Sequence, residues 1–260
     1  MIPDEVRSLA EEQGTPGVAW PGSELIERET YAIWLGPPMY PGLSVVRRCR
    51  FAAGEVATAL QEIRTTLRGR DRNRAFWQVG ASATPATLAD DLIALGLRRD
   101  DDPVLKALVI GREPRGAVEG VDVIRARTRE EFEQFFRIQQ QAFETDPRDI
   151  EQGAAHLDAI YNAERDADHI ATYLACIDGE PVATARATFT DVGVVLNGGS
   201  TLHRARGRGA YKALVQARWR DAVARGTPYM TTLARPTSYP ILKTMGFEDA
   251  CEVQSLVDEF

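Results

Sequence analysis

Cysteine is scarce in this sequence: Cys49, Cys176 and Cys251 are the only three in 260 residues, widely separated and without a CxxC pair. That excludes a disulfide framework and a thiolate metal site, and a reducing cytoplasm is the simplest home. Three histidines, His156, His169 and His203, share no ligand spacing, so no metal centre is encoded. A long apolar run is missing too. The longest uncharged stretch, Tyr31 to Val46, is interrupted by Gly36, Pro37, Pro38, Pro41 and Gly42 before it could span a bilayer. Asp4, Glu5 and Arg7 occupy the first ten residues with no apolar core behind them, which does not suit a signal peptide. Positive charge is in deficit: 31 basic against 38 acidic side chains leave −7, which argues against broad binding to nucleic acid or an anionic membrane.

What remains is an ordinary globular composition, 44% hydrophobic and 27% charged, long enough for one large domain or two of about 130 residues. Apolar runs at Tyr31–Leu35 and Leu43–Phe51 read as strands around a proline-rich loop, after a Pro/Gly turn at Pro16–Gly22. From Gly54 to Arg68, Val56, Leu60, Ile63 and Leu67 recur at spacings of 4, 3 and 4, the stripe of an amphipathic helix. Phe76–Val79 reads as a strand, Pro85–Leu95 as a helix with Pro85 in its first turn, and Val104–Ile110 as a buried strand.

The second half repeats this order. Strands are expected at Ala171–Ile177, Pro181–Phe189 and Val192–Leu202, then a helix at Gly209–Ala224, a strand at Tyr229–Ala234, a helix at Ser238–Met245 and a strand at Val253–Val257. The helices ending at Gly96 and Gly246 each close on Gly plus an apolar residue, 19 residues after Trp77 and 17 after Tyr229. Two divergent copies of one α/β unit, 1–115 and 116–260, account for the rhyme, joined by the charged stretch Gly111–Gly120.

Strand, arginine-glycine loop and helix succeed one another at His203–Arg204–Ala205–Arg206–Gly207–Arg208–Gly209–Ala210–Tyr211. A helix N-terminus exposes unpaired amides and partial positive charge, and glycine lets phosphate oxygens approach the backbone. From His203 to Arg225 seven basic residues face one acid, Asp221, an excess that an anionic ligand would explain and that solvated arginines would explain as well. Tyr211, Leu214, Val215, Trp219, Ala222 and Val223 form a buried stripe anchoring the loop.

Arg206–Tyr211 resembles the R/QxxGxG/A motif of the GNAT superfamily of acyl-CoA-dependent N-acyltransferases, with Tyr211 standing where Gly or Ala is usual. The resemblance covers about residues 117–260, including the closing Met245–Gly246–Phe247. It implies an α/β fold of two GNAT-like halves, each a central, mostly antiparallel mixed sheet flanked by helices, the first half degenerate. It implies acetyl-CoA as co-substrate, held by Arg206, Gly207, Arg208, Gly209, Ala210 and Tyr211, with Ser200, Thr201 and Leu202 along the pantetheine arm and a bulge at Gly198–Gly199. The acceptor would be a small-molecule or peptide amine attacking the thioester directly.

The usual acid position of the family is Leu242 here, which leaves Tyr239 as the nearest phenol and candidate acid, or a packing residue. Val192–Leu202 contains no glutamate, so Glu144 or a water chain would serve as base. Glu130–Ile170 carries eleven acidic and three basic residues, a wall for a cationic amine or solvated helix faces. Cys176 falls in a strand pattern and reads as core. In the first half the corresponding helix opens on Gly54 alone, with Glu55 in its first turn, so one acyl-CoA site per chain is expected. The alternatives are a non-catalytic acyl-CoA-binding module and a nucleic-acid patch along Arg204–Arg225; against the latter, Tyr211 and Trp219 lie on the buried stripe.

Overall fold

A computed structural model describes residues 2–13, 22–37, 42–116, 118–143 and 157–260. Most of the Pro16–Gly22 turn, Pro38 and Pro41 of the first loop, Glu144 and His156 lie outside the described residues. The first half runs α1 (Asp4–Glu12), β1 (Glu24–Glu27), β2 (Ala32–Leu35), β3 (Ser44–Arg47), α2 (Val56–Arg68), β4 (Arg74–Val79), α3 (Leu88–Ala94), β5 (Arg98–Ile110). The second begins β6 (Asp122–Arg125), α4 (Arg129–Ala142), α5 (Leu157–Glu164), β7 (Ile170–Ile177), β8 (Glu180–Phe189), β9 (Val194–Thr201). It ends α6 (Ala210–Ala224), β10 (Met230–Ala234), α7 (Tyr239–Met245), β11 (Glu248–Glu259).

The described strands form one mixed sheet in the order β1-β2-β3-β4-β11-β5-β10-β9-β8-β7-β6. Pairing is antiparallel except at β3/β4 and β9/β10. Each exception lasts two residue pairs, Val45 with Phe76 and Val46 with Trp77 in the first half, Val194 with Met230 and Val195 with Thr231 in the second. The same irregularity at the same place in both halves is what a duplicated unit leaves behind.

The boundary expected near residue 115 is crossed by the sheet. β5 begins beside the end of β11, Arg98 against Val257, and ends against β10, Ile110 against Met230. β11 runs the opposite way, from Glu248 beside Val109 to Glu259 beside Arg74 of β4. Each half thus completes its sheet with the other's last strand. The cores follow suit. Leu256 of β11 packs with Leu60, Ile63 and Leu88 from α2 and α3, while Leu108 and Ile110 of β5 pack with Leu214 and Ala222 from α6. A leucine so buried contributes about 2 kcal/mol through removal of apolar surface from water. α1 covers the exchange point from the other face, with Val6 and Ala10 on Ala107, Val109 and Val253.

Several boundaries depart from expectation. α3 starts at Leu88 and leaves Pro85 outside, because Thr84 is held extended by its N–H to the Cys49 carbonyl and its carbonyl to the Phe51 N–H. A residue before proline favours that conformation. β5 and β11 are longer than their apolar cores, since the charged end of each pairs with the apolar core of the other, Arg98 with Val257 and Glu248 with Val109. Val223, expected on the buried stripe of α6, is 50% exposed, one step round the helix from the buried Ala222. Cys176 is buried in β7, and burial raises its thiol, which suits a core residue. Three acids of the described part of the acidic segment are engaged in structure: Glu131 closes a capping box with Thr128, Asp158 pairs with Arg129, and Glu164 pairs in the interior with Arg186.

Among the ion pairs that tie the exchanged strand to the first half, one has a fully buried carboxylate. Arg64 of α2 holds Asp258 of β11 in a bidentate contact, Nε to Oδ2 at 3.0 Å and Nη2 to Oδ1 at 2.6 Å, with the carboxylate fully buried. Asp258→Ala leaves the guanidinium without its partner and should lower unfolding free energy by about 3 kcal/mol. Urea denaturation followed by Trp77 fluorescence measures it; an unchanged midpoint would show that the exchange does not depend on this contact.

Candidate functional site

β9 diverges from β10 after two residue pairs, and between the splayed strands and the start of α6 lies a cleft of about 920 Å³. Ser200, Thr201, Arg206, Gly207, Arg208, Gly209, Ala210 and Tyr211 all line it, which brings together eight of the nine residues expected at the co-substrate. Leu202 is the correction. Its side chain turns into the core with Phe135, Ile138 and Leu174, because it shares the face of β9 that α4 covers. The sequence reading missed Val118 and Glu119 from the linker, Phe143 at the end of α4, and Thr237, Ser238 and Ile241 at the start of α7. The last three were within reach, since they follow the partner strand as the arginine-glycine loop follows β9.

The loop geometry comes from its glycines. Gly207 and Gly209 adopt φ of 79° and 88°, left-handed values open to glycine at no steric cost. α6 begins immediately afterwards with no side-chain cap and no acid in its first turn, so its amides face the cleft with the helix's positive end behind them. Linker residues pack onto this loop: a Cβ on Gly209 would meet Val118 Cγ1 at 2.7 Å, and Gln216 Nε2 donates to the Gly116 carbonyl.

The basic excess around the loop proves to have several destinations. Arg204 pairs with Glu180 at 2.6 Å, Arg225 stacks on Phe189 at 3.8 Å, and Arg218 is interior. Arg208 reaches Asp178 only at 3.4 Å on the surface. Among the described residues no carboxylate pairs with Arg206 or Lys212, both on the cleft wall, so the charge available to an anion is concentrated there.

The expected bulge is present. Arg186 of β8 faces Asn197 and Thr184 faces Ser200, so two residues, Gly198 and Gly199, stand opposite Ala185 alone. Gly198 takes φ of 59°, and Gln139 Nε2 of α4 donates to its carbonyl at 3.1 Å. Gly199 lies against Tyr211, and a Cβ there would stand 2.9 Å from the ring's Cε2. The motif's one departure from a small residue is therefore accommodated by a missing side chain on the facing strand.

Of the two candidates for acid and base, only Tyr239 is among the described residues, and it does not line the cleft. Glu144 lies outside the described residues. Tyr239, the first residue of α7, is not on the cleft wall, although Ser238 before it and Ile241 after it are. Its ring packs against the edge of the second half's core, 6.0 Å from Lys106 Nζ and 5.9 Å from Lys243 Nζ. The carboxyl of Asp249 is held below its usual range by its bond to Lys243 and then by Tyr239, so the phenol serves a surface polar cluster.

The matching place in the first half is closed. Beyond the two parallel pairs of β3 and β4, Thr84 bridges to Arg50, and its two hydrogen bonds to Cys49 and Phe51 fill the gap that β9 leaves open. Glu55 stands at the N-cap of α2, one position before the first turn where it was expected, without capping through its side chain.

Among the described residues there is no cluster of metal-ligating side chains and no helix long and apolar enough to cross a membrane. No family model matches the chain and no curated protein does. Solved structures do. A GCN5-related N-acetyltransferase from Kribbella flavida superposes with a TM-score of 0.69 at 22% identity, over 97% of this chain and 95% of that one. A tandem GNAT protein of the clavulanic acid biosynthesis pathway gives 0.60 at 14% identity, over 99% and 88%. A GCN5-related N-acetyltransferase from Sphaerobacter thermophilus gives 0.61 at 16%, over 88% and 76%. The chain has the GNAT fold in its tandem arrangement.

Gly198→Ala combines a left-handed φ with a Cβ placed 2.9 Å from Gln139 Nε2, and should cost about 1–2 kcal/mol in chemical denaturation. An alanine variant as stable as the wild type would show that the bulge is not built as described.

Proposed function

We propose that the second half binds acetyl-CoA and transfers its acetyl group to a small-molecule or peptide amine. The observation that carries this is the uncapped start of α6, reached through two left-handed glycines and flanked by Arg206 and Lys212, which pair with no carboxylate among the described residues, where it opens on a splayed strand. The fit is electrostatic and steric together: a pyrophosphate needs convergent amides, nearby cations and the absence of side chains in its way.

Acetyl-CoA supplies an acyl group activated as a thioester, open to direct attack by an amine. The amides of Gly207, Gly209, Ala210 and Tyr211, with Arg206 and Lys212, hold the phosphates. Ser200 and Thr201 flank the arm leading inward. The bulge at Gly198–Gly199 sets main chain out of register with β8 beside that arm, in a position to orient the acyl oxygen. Glu144 follows the cleft-lining Phe143 by one residue in sequence, which supports its assignment as the base that takes the nitrogen's proton. With Tyr239 engaged elsewhere, solvent in the open cleft protonates the departing thiolate. The first half, closed at its matching gap, acts as a structural partner, and the deficit of positive charge supports neither nucleic acid nor membrane as partner. A cytoplasmic location accords with the cysteine usage.

The position of Tyr239 favours a second reading, an acyl-CoA-binding module without catalysis. Thiol release from acetyl-CoA over a panel of tyramine, spermidine, glucosamine and lysine methyl ester separates the two.

Titration calorimetry should show one CoA bound per chain, and Gly209→Asp should abolish it by adding a carboxylate to the loop and a Cβ that, at a left-handed φ and 2.7 Å from Val118, forces the loop out of shape. Unchanged affinity in that variant would sink the assignment. Tyr239→Phe should leave both turnover and the pH–rate profile as in the wild type. A profile that loses its alkaline limb would restore the phenol as general acid.

A further inference from the structure

Two residues of α6, Tyr211 and Arg218, lie seven positions apart and so share one helix face. Arg218 folds back toward the helix start: Nε donates to the Leu214 carbonyl at 3.0 Å and Nη1 to the Arg186 carbonyl of β8 at 3.1 Å. It is only 1% exposed, and among the described residues no carboxylate pairs with it. A buried guanidinium compensated by carbonyl oxygens alone is a strong latent partner for an anion that could reach it.

Tyr211 stands in the way. Its ring forms part of the cleft wall and fills the space that a side chain on Gly199 would take, with Cε2, Cδ2 and Cζ at 2.9, 3.6 and 4.0 Å from where a Cβ would be. Burial raises the Tyr211 phenol, with the Arg218 charge acting in the opposite direction, which agrees with a neutral ring set beside the guanidinium. Tyr173, the other phenol whose charge Arg218 feels, donates its hydroxyl to Asp221 at 2.5 Å and is not free to take this part.

We propose that Tyr211 determines which acyl group the cleft accepts: its ring seals the inner wall at Gly199 and separates the cleft from the buried Arg218, so that a short uncharged acyl group is admitted and a longer one ending in a carboxylate is refused. This rests on the acyl-CoA reading and deepens it, since the bulge that would orient the acyl oxygen is the one the ring seals. Removing the ring opens a channel of about its own size from Gly199 toward Arg218, with a cation at its end.

The test compares dissociation constants of acetyl-CoA, butyryl-CoA and succinyl-CoA within each variant, so that any change in contacts to the CoA moiety cancels. The wild type should bind succinyl-CoA at least about tenfold more weakly than acetyl-CoA. In Tyr211→Ala that ratio should fall to one or below, with succinyl-CoA gaining more than the equally long, uncharged butyryl-CoA. Tyr211→Phe, which keeps the ring, should retain the wild-type ratio. Tyr211→Leu provides a shorter but apolar side chain if the alanine variant does not fold, and should shift the ratio in the same direction. An unchanged ratio in the alanine or leucine variant, or no discrimination in the wild type, would overturn the role of Tyr211, and equal gains for butyryl- and succinyl-CoA would overturn that of Arg218. Failure of the wild type to bind CoA itself would instead overturn the acyl-CoA reading, and this proposal with it.

Discussion

The antiparallel ladder between β5 and β11 is the constraint on which the rest of the structure depends. Both strands are long, 13 and 12 residues, and they run past one another so that each is finished by the opposite half. Two consequences follow from one set of main-chain hydrogen bonds. The two cores become mutually dependent, because Leu256 belongs to one and Ile110 to the other. And β10 is anchored along five residues to β5 while it holds β9 along only two. The sheet therefore yields at the β9/β10 seam, and the cleft opens where pairing is weakest. A site that depends on splayed strands needs a firm hold on one of them, and the exchanged strand provides it.

The two halves show how little change closes such a site. Both retain a two-residue parallel seam followed by a loop and a helix. In the first, Thr84 crosses the gap and satisfies the backbone at Cys49 and Phe51, and Glu55 stands at the helix start. In the second, α6 starts on a glycine with no side-chain cap, and among the described residues no carboxylate pairs with Arg206 or Lys212. Backbone polar groups that are not paired internally must find a partner in solvent or in a ligand, so one half is self-sufficient and the other is not.

A good deal of this was legible beforehand. The 4-3-4 spacing of α2, the strand, loop and helix around Gly207 and Gly209, and the rhyme between Gly96 and Gly246 are local patterns, decided by side-chain periodicity and by the φ values that glycine alone takes freely. Such features depend on neighbours within a few residues, and the sequence contains those neighbours. The bulge at Gly198–Gly199 belongs here too, although its partner Gln139 does not.

Contacts between distant segments were decided only by the tertiary structure. The sequence by itself determined two α/β repeats, the second carrying a phosphate-type loop. It did not determine that β11 would lie between β4 and β5, because both placements satisfy the same alternation of apolar residues. Nor could it place Tyr239, since which face of a two-turn helix meets a cleft depends on how that helix is docked, and the ring went to Lys106, Lys243 and Asp249. The basic run from Arg204 to Arg225 reads as one charge cluster along the chain, yet folding sent Arg204 to Glu180, Arg218 into the core and Arg225 onto Phe189. Charge adds along a sequence without regard to direction, whereas an ion's field at a site depends on distance and burial, and those exist only once the chain has folded.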